Sequence, residues 1–242
     1  MANELPEALE NRYRWIKQHS ALEESFGFAI EIIAEDRIGL IADITKSVSA
    51  GRGNINYIQS WNEYDGASHT LVQINSDQDV SLLSDEISKI PSVRKVRVRP
   101  TFRKIWGKRV IVVGGGAQVA AVASGAIAEA DRHNIRGETI SVDTMAIVGE
   151  AEIAEAVRAV GRLHRAAVLV LAGSLMGGTI TEAVAALRNE YGIPVISLSM
   201  AGSVPSASDI VVSDPTEAGV MAVMLISHIG KFNLTNVHGK HF

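Results

Sequence analysis

The chain has 242 residues, 47% of them hydrophobic and 21% charged, with a net charge of −4 and no cysteine. That composition excludes wholesale disorder, and the missing thiol excludes disulfide frameworks, cysteine nucleophiles, zinc ribbons and iron–sulfur clusters. Apolar runs such as Val220–Ile226 are far shorter than the ~20 residues that span a bilayer, and Met1–Glu10 carries acids where a secretory leader needs cations, so the expectation is a soluble, cytoplasmic protein without membrane contact.

The charge is segregated. Residues 1–93 carry a balance of −8, residues 94–109 hold eight Lys and Arg with no acid, and residues 110–242 carry −4. Composition shifts at this belt from mixed and polar to rich in Ala, Val, Gly and Ile. Pro100 and Gly107 punctuate the change and place a linker at 100–108. The expected division is a helical arm at 1–24, a first domain at 25–99, the basic linker, a second domain at 109–232 and a tail at 233–242.

In chain order, Pro6 and the spacing of Leu9, Tyr13, Ile16 and Lys17 predict a helix over 6–24. Residues 26–36 read as a strand with Phe26, Phe28, Ile30 and Ile32 on one face. Ile38–Ala50 is helical, with Leu40, Ile41, Ile44 and Val48 at three- and four-residue steps. Asn54–Trp61 and Ser68–Asn75 read as strands joined at Asp65-Gly66. Asp79–Ile90 is a helix and Val93–Arg99 a strand. The order is βαββαβ, a ferredoxin-like unit.

The second domain alternates differently. Strands are expected at Arg109–Val113, Glu138–Val142, Ala167–Ala172, Pro194–Ser199 and Asp209–Ser213, with helices at 117–133, 150–163, 178–191 and 216–231. Continuous Val/Ile/Leu runs mark strands covered on both faces, as in parallel sheets. The fold class is therefore α/β, with a C-terminal doubly wound, mainly parallel, Rossmann-like domain of about five strands and the first strand central.

In the first domain, Asp36, Arg37, Ile38, Gly39 and Leu40 join strand one to helix one. Gly39 allows a sharp turn, and the opening amides of the helix offer a seat for a carboxylate. Asn54 and Ile55 begin strand two. The runs D-R-I-G-L-I-A-D-I-T and G-R-G-N-I-N-Y-I-Q-S, inside a βαββαβ order, resemble the ACT domain, an amino-acid-sensing regulatory module. The resemblance covers about 26–99. It implies an amino-acid effector at an interface between paired domains, with Asp36–Leu40 and Asn54-Ile55 touching it, and a homo-oligomer formed through these domains. ACT-like domains that serve only as pairing pieces are the alternative.

Doubly wound sheets bind ligands beyond the carboxyl ends of their strands. There lie Gly114, Gly115, Gly116 and Ala117 after strand one, and Asp143 after strand two. Gly173, Ser174, Gly177, Gly178 and Thr179 follow strand three, Gly202 and Ser203 strand four, and Asp214 strand five. The first loop departs from G-x-G-x-x-G because Val119 stands where the third glycine or alanine belongs, and Asp143 follows Gly116 by twenty-seven residues rather than about twenty. The second lacks the lysine of a Walker loop. A nucleotide or dinucleotide cofactor is open but unassigned, and no metal-ligand spacing appears. Asp143 is a candidate ribose acceptor and Asp214 its possible acid–base partner, although strand-end aspartates more often cap turns. The stretches VGGGAQVAAVASGAIAEADRHNIRGETISVD and SDPTEAGVMAVM resemble an archaeal domain of unknown function that follows an ACT domain in small methanogen proteins.

Three functions follow as expectations. The first is an ACT-like sensor coupled to a small-ligand-binding α/β domain. The second is an ACT-regulated enzyme acting on a nucleotide or phosphorylated metabolite. The third is a nucleic-acid-binding regulator using the 94–109 belt, where Lys95, Arg97 and Arg99 share a face. A local belt without domain-wide basic excess makes the third weak.

Overall fold

The computed structural model describes residues 5–18 and 27–242. The outer parts of the expected arm and Phe26 lie outside the described residues. The chain divides into two compact units: the first helix together with Trp106–Phe242, and an inserted unit that ends at Ile105.

The inserted unit contains β1 (Phe28–Glu35), α2 (Leu40–Ala50), β2 (Asn54–Asn62), β3 (Ala67–Asn75), α3 (Val80–Ser88) and β4 (Val93–Arg99), following α1 (Glu7–Gln18) in the chain. Its sheet runs β2-β3-β1-β4, antiparallel throughout. Period two puts Ile30, Ile32 and Ala34 on one face of β1, and helical spacing puts Leu40, Ile44 and Val48 on one face of α2. These meet Val72, Ile74, Leu83 and Ile87 in one core. Asp79 caps α3 by accepting from Ser81 N.

Three arginines of the basic belt pair with acids of β1. Arg97 and Arg99 both pair with Glu31, at 3.5 and 2.8 Å, and Arg94 pairs with Glu35 at 3.2 Å. The stretch expected as a linker holds α4 (Phe102–Trp106). Its first amide donates to Gln73 Oε1 at 3.1 Å, and the Phe102 ring meets Tyr57 edge-on.

The α/β unit continues with β5 (Lys108–Gly114), α5 (Gly116–Asn134), β6 (Ile140–Ala146), α6 (Glu150–Val160), β7 (Ala166–Ala172), α7 (Thr179–Tyr191), β8 (Val195–Leu198), α8 (Val204–Ala207), β9 (Ile210–Val212), α9 (Pro215–Ile226), α10 (Leu234–Val237) and β10 (Lys240–His241). Its sheet is parallel, in the order β10-β9-β8-β7-β5-β6. The first strand of this unit is internal, as expected, and the order is that of the flavodoxin-like doubly wound sheet. One core joins α5, α9 and α1 to one face, and another joins α6, α7 and α8 to the other. Pairing is six-stranded rather than about five. The segment read as a tail carries α10 and β10, with Leu234 and Val237 buried.

Nor is the first helix a separate arm. Leu9, Tyr13 and Ile16 are buried in the core shared with α5 and α9. Arg12 donates to Tyr191 O, at the end of α7, and to Ala166 O, at the start of β7, both at 2.8 Å. The helix therefore lies at the pole where the strands begin, opposite their carboxyl ends. At that pole Lys108 Nζ and Glu138 Oε1 form a buried ion pair at 3.0 Å. Burial pushes the Glu138 carboxyl up, but the Lys108 charge and hydrogen bonds from Ser227, His228 and Lys108 outweigh it and hold the group at about 2.

Two predictions follow from this packing. Gly125 faces the backbone of Thr216, and Gly219 that of Val122, so α5 and α9 approach without side chains between them. Gly125→Ala should cost about 1–3 kcal/mol by overpacking and lower Tm by roughly 2–10 °C in a thermal melt. Second, because the Glu138 carboxyl is depressed from its ordinary 4.5 to about 2, its contribution is complete above pH 4.5 and is lost as pH falls toward 2. Urea midpoints measured across that range should fall steeply. Glu138→Gln should lose this component and cost about 3–5 kcal/mol at neutral pH by stranding a buried lysine.

Candidate functional site

In a doubly wound sheet of this order the ligand crevice lies where neighbouring strands send their helices to opposite faces. Here that point is between β5 and β7. Gly114 ends β5 with φ +141°, and a Cβ there would collide with the Ala172 carbonyl. The next amide, Gly115 N, donates to the same carbonyl at 2.7 Å, and Ile147 N donates to Gly114 O at 2.8 Å. The turn is thus pinned by the ends of both neighbouring strands. It delivers the chain into α5, whose first turn has no side-chain cap and whose Gly116 and Ala117 are exposed. The Met176 methyl lies beneath, within 3.0 Å of where side chains on Gly114 and Gly173 would begin.

The loops after β7 and β8 are laced into one surface. Met176 N donates to Ala201 O and Ala201 N to Ser174 O, both at 3.0 Å. Gly202, at φ +100°, lies against the Met176 carbonyl. Ser203 Oγ is 2.7 Å from Thr181 Oγ1. Ser174, Gly177, Gly178 and Thr179 are therefore brought together with Gly202 and Ser203, and Gly173 with Gly114–Ala117.

The start of α7 is already filled. Glu150 Oε1 accepts from Thr179 N at 2.7 Å and from Thr179 Oγ1 at 2.9 Å. Those backbone and side-chain hydrogen bonds lower the Glu150 carboxyl below its ordinary value. The turn expected to receive an anion does hold one, and it belongs to the chain.

Two expected residues stand elsewhere. Asp143 lies inside β6, opposite Ile111, because the strand runs on to Ala146. Its carboxylate pairs with Arg109. Asp214 caps α9 by accepting from Glu217 N at 2.8 Å. The two therefore do not form an acid–base pair at the crevice mouth.

Sequence reasoning missed Glu150, Met176 and three exposed apolar side chains at this end: Met145 near the end of β6, and Val148 and Leu175 on the loops. It also passed over a charge pattern. The loop stretches 114–118, 144–150, 173–181, 199–204 and 213–217 contain no Lys, Arg or His. Among the described residues no cluster of acids and histidines could hold a metal.

In the inserted unit, the turn after β1 is held by its own side chains. Asn62 donates to Asp36 at 3.0 Å. The Arg37 guanidinium donates to Ser92 Oγ at 3.0 Å, to Ile38 O at 3.2 Å and to Asp43 at 2.5 Å. Gly39, at φ +84°, begins α2 with no side-chain cap. Ile38 is wholly exposed, whereas Leu40 is buried in the core. Asn54 and Ile55 stand at the other end of the sheet. Ile74 pairs with both Ile55 and Phe28, while Glu35, next to the turn, pairs with Ala67. Seven residues of β3 separate these points, roughly 23 Å. Within one chain no single amino acid reaches both halves of the expected effector site.

Fold and sites together define a two-part chain, a ferredoxin-like regulatory unit inserted ahead of a parallel α/β sheet with an open switch point. Residues 22–97 match the ACT domain family, and residues 99–241 match the family described as Domain of unknown function (DUF5612). The chain belongs to that family, in the ACT-first arrangement expected from its motifs. An uncharacterized protein of Methanocaldococcus jannaschii is 50% identical over 87% of this chain and 97% of its own length. An uncharacterized protein of Archaeoglobus fulgidus is likewise 50% identical, over 87% and 97%. The ACT domain from the GTP pyrophosphokinase of Chlorobium tepidum is 27% identical over 29% of this chain and 94% of its own, with a TM-score of 0.27. An ACT domain points to a ligand-sensing, regulatory role. No helix among the described residues is long and apolar enough to cross a membrane.

Asp143→Asn tests the reassignment of that residue. With both partners of its ion pair partly exposed, the substitution should cost no more than about 1 kcal/mol in chemical denaturation. It should leave the binding of any ligand at the crevice unchanged.

Proposed function

We propose that the chain is a sensor in which an amino acid, bound between the inserted units of two copies, sets how firmly the α/β unit holds a small anionic ligand of its own. The observation that carries this reading is the split effector site. The uncapped turn at Gly39, with Ile38 fully exposed beside it, and the Asn54-Ile55 strand start lie at opposite ends of one sheet. An antiparallel pairing of two copies would bring each turn to the other's strand start. The effector carboxylate would sit on the first amides of α2 and its ammonium on the Asn54 side chain. Coupling of about 1–3 kcal/mol between the two sites, or 5–150-fold in affinity, suffices for regulation.

For the α/β unit, the open first turn of α5 and the absence of cations on the surrounding loops favour a ligand that backbone amides alone can hold. The pyrophosphate of a dinucleotide, or a single phosphate or carboxylate, fits that description. A nucleoside triphosphate does not, because it needs a lysine and a metal to offset its charge. The same observation supports the second reading, an enzyme acting on such a nucleotide or phosphorylated metabolite under amino-acid control. The nucleic-acid reading has less support, since five of the eight belt residues, Arg94, Arg97, Arg99, Lys108 and Arg109, are paired with carboxylates of the chain.

A thermal-shift screen against the twenty amino acids tests the proposal. One of them, at 100 times its dissociation constant, should stabilise the protein by about 2.7 kcal/mol. Asn54→Ala and Gly39→Val should each abolish the shift. Mixing the two variants should restore part of it if each site is shared between copies. A shift that survives Asn54→Ala, or no rescue on mixing, would sink the shared-site reading.

A further inference from the structure

The two edges of the parallel sheet are protected differently. β10 is two residues long, which blunts its edge, whereas β6 at the other edge runs for seven residues and pairs with β5 without a bulge. β6 holds no Pro, Lys or Arg that would discourage a further strand. Its charged residue, Asp143, is paired with Arg109 of β5. By period two it lies on the sheet face away from Ile140 and Val142, which pack toward α5.

The helix beside this edge is uncharged on its solvent side. From Gly116 to Ala128, the exposed and half-buried positions of α5 are Gly, Ala, Gln, Ser and Ile. By contrast, α6 turns Glu152, Glu155 and Arg158 to solvent. Ile127 is 59% exposed, and Ile135, two turns further on, is 81% exposed. At the far end of β6, Met145 and Val148 are exposed as well, and a side chain begun on Gly116 would stand 4.0 Å from the Ala146 Cβ.

The charges that frame this surface are self-complementary. Where β6 begins, Arg132, paired with Glu129 at 2.9 Å, and Arg136 are exposed, with Asp131 beside them. Where β6 ends, Glu150 and Glu152 are exposed, and no Lys or Arg occurs from 137 to 157. Antiparallel pairing of two such edges about a two-fold axis sets each basic end against the other copy's acidic end. The area agrees. α5, with 19 residues, presents a face of roughly 28 Å by 10 Å, and β6 adds an edge of about 23 Å. Together they offer roughly 500 Å² per copy, or about 1,000 Å² for the pair, the lower bound for a specific interface. The helix alone falls short of that bound.

We propose that the solvent side of α5 and the free edge of β6 form a two-fold interface with a second copy of this chain, the two β6 strands antiparallel and the two α5 helices packed on the same side of one continuous sheet. It uses no residue of the inserted unit, so it stands whether or not the inserted units pair.

The chain has no cysteine, so one introduced thiol reports one place on its surface. In the full chain, Ser124→Cys, on the exposed side of α5, should react with a maleimide about tenfold more slowly in concentrated than in dilute protein, as mass action drives association. Asn189→Cys, on the exposed side of α7, should react at one rate throughout. Adding Ile127→Glu to Ser124→Cys should abolish the shielding by forcing a carboxylate into the interface. Arg136→Glu should raise the concentration needed for shielding about tenfold, and adding Glu152→Lys should bring it back. A thiol at 124 that reacts equally fast at every concentration, shielding that persists with Ile127→Glu, or a double charge exchange that restores nothing would overturn the proposal.

Discussion

A single carbonyl group organises the crevice. The Ala172 oxygen, at the end of β7, lies where a side chain on Gly114 would begin and accepts the Gly115 amide. That contact forces the chain out of β5 with a positive φ and aims the first turn of α5 over the edge of the sheet. Any residue but glycine at 114 would push β5 and β7 apart at their carboxyl ends, and the crevice with them. Met176, packed against both Gly114 and Gly173, fills the space where side chains there would begin.

The two helix starts at this end illustrate how one chemistry is used in two ways. At α7 the exposed amide and hydroxyl of Thr179 are satisfied by Glu150, which ties the start of α6 to the start of α7. At α5, whose N-terminal cap is Gly115, no side chain among the described residues takes that place. The internal carboxylate stabilises a loop surface built from glycines and hydroxyls, in which hardly any side chain would otherwise restrain the backbone. What is left open is narrower than the glycine loops implied: one helix start, at the end of the sheet that also carries exposed apolar side chains at 145, 148 and 175.

Elements with a strong periodic signal were legible in the sequence. The βαββαβ order, the parallel character of the second sheet, the internal position of its first strand and the glycine turns all follow from spacing and from Val/Ile runs. The misplacements share a cause. β6 is an edge strand, and its last residues, Thr144 to Ala146, are exposed and lack the buried run that marks its neighbours, so its end was set too early and Asp143 was put at the crevice. β10 is two residues long and α10 four, too short for a periodic signal. The α1 stripe was readable as amphipathic, but which unit it covers depends on contacts with residues some 150 to 220 positions away, such as Ala166 and Ser227. The motifs named both halves of the effector site and an interface between copies, but not that strand register sets the two halves at opposite ends of one sheet.

Charge distribution links these features. The segregation visible along the chain resolves into local pairs: the belt arginines of β4 with the acids of β1, Lys108 with Glu138, and Arg109 with Asp143. Within the α/β unit the buried ionic groups sit where the strands begin. The crevice at the other pole has no cation on its loops. In the proposed reading a ligand there is held by fixed backbone dipoles, which do not titrate, whereas Lys17 and Glu138 at the opposite pole do. Between the poles runs the closely packed pair α5 and α9, with glycines at Gly125 and Gly219 where the two backbones meet. A displacement of the α9 terminus at Ser227 would therefore be resisted along the whole length of α9 and carried to α5, whose first turn borders the crevice.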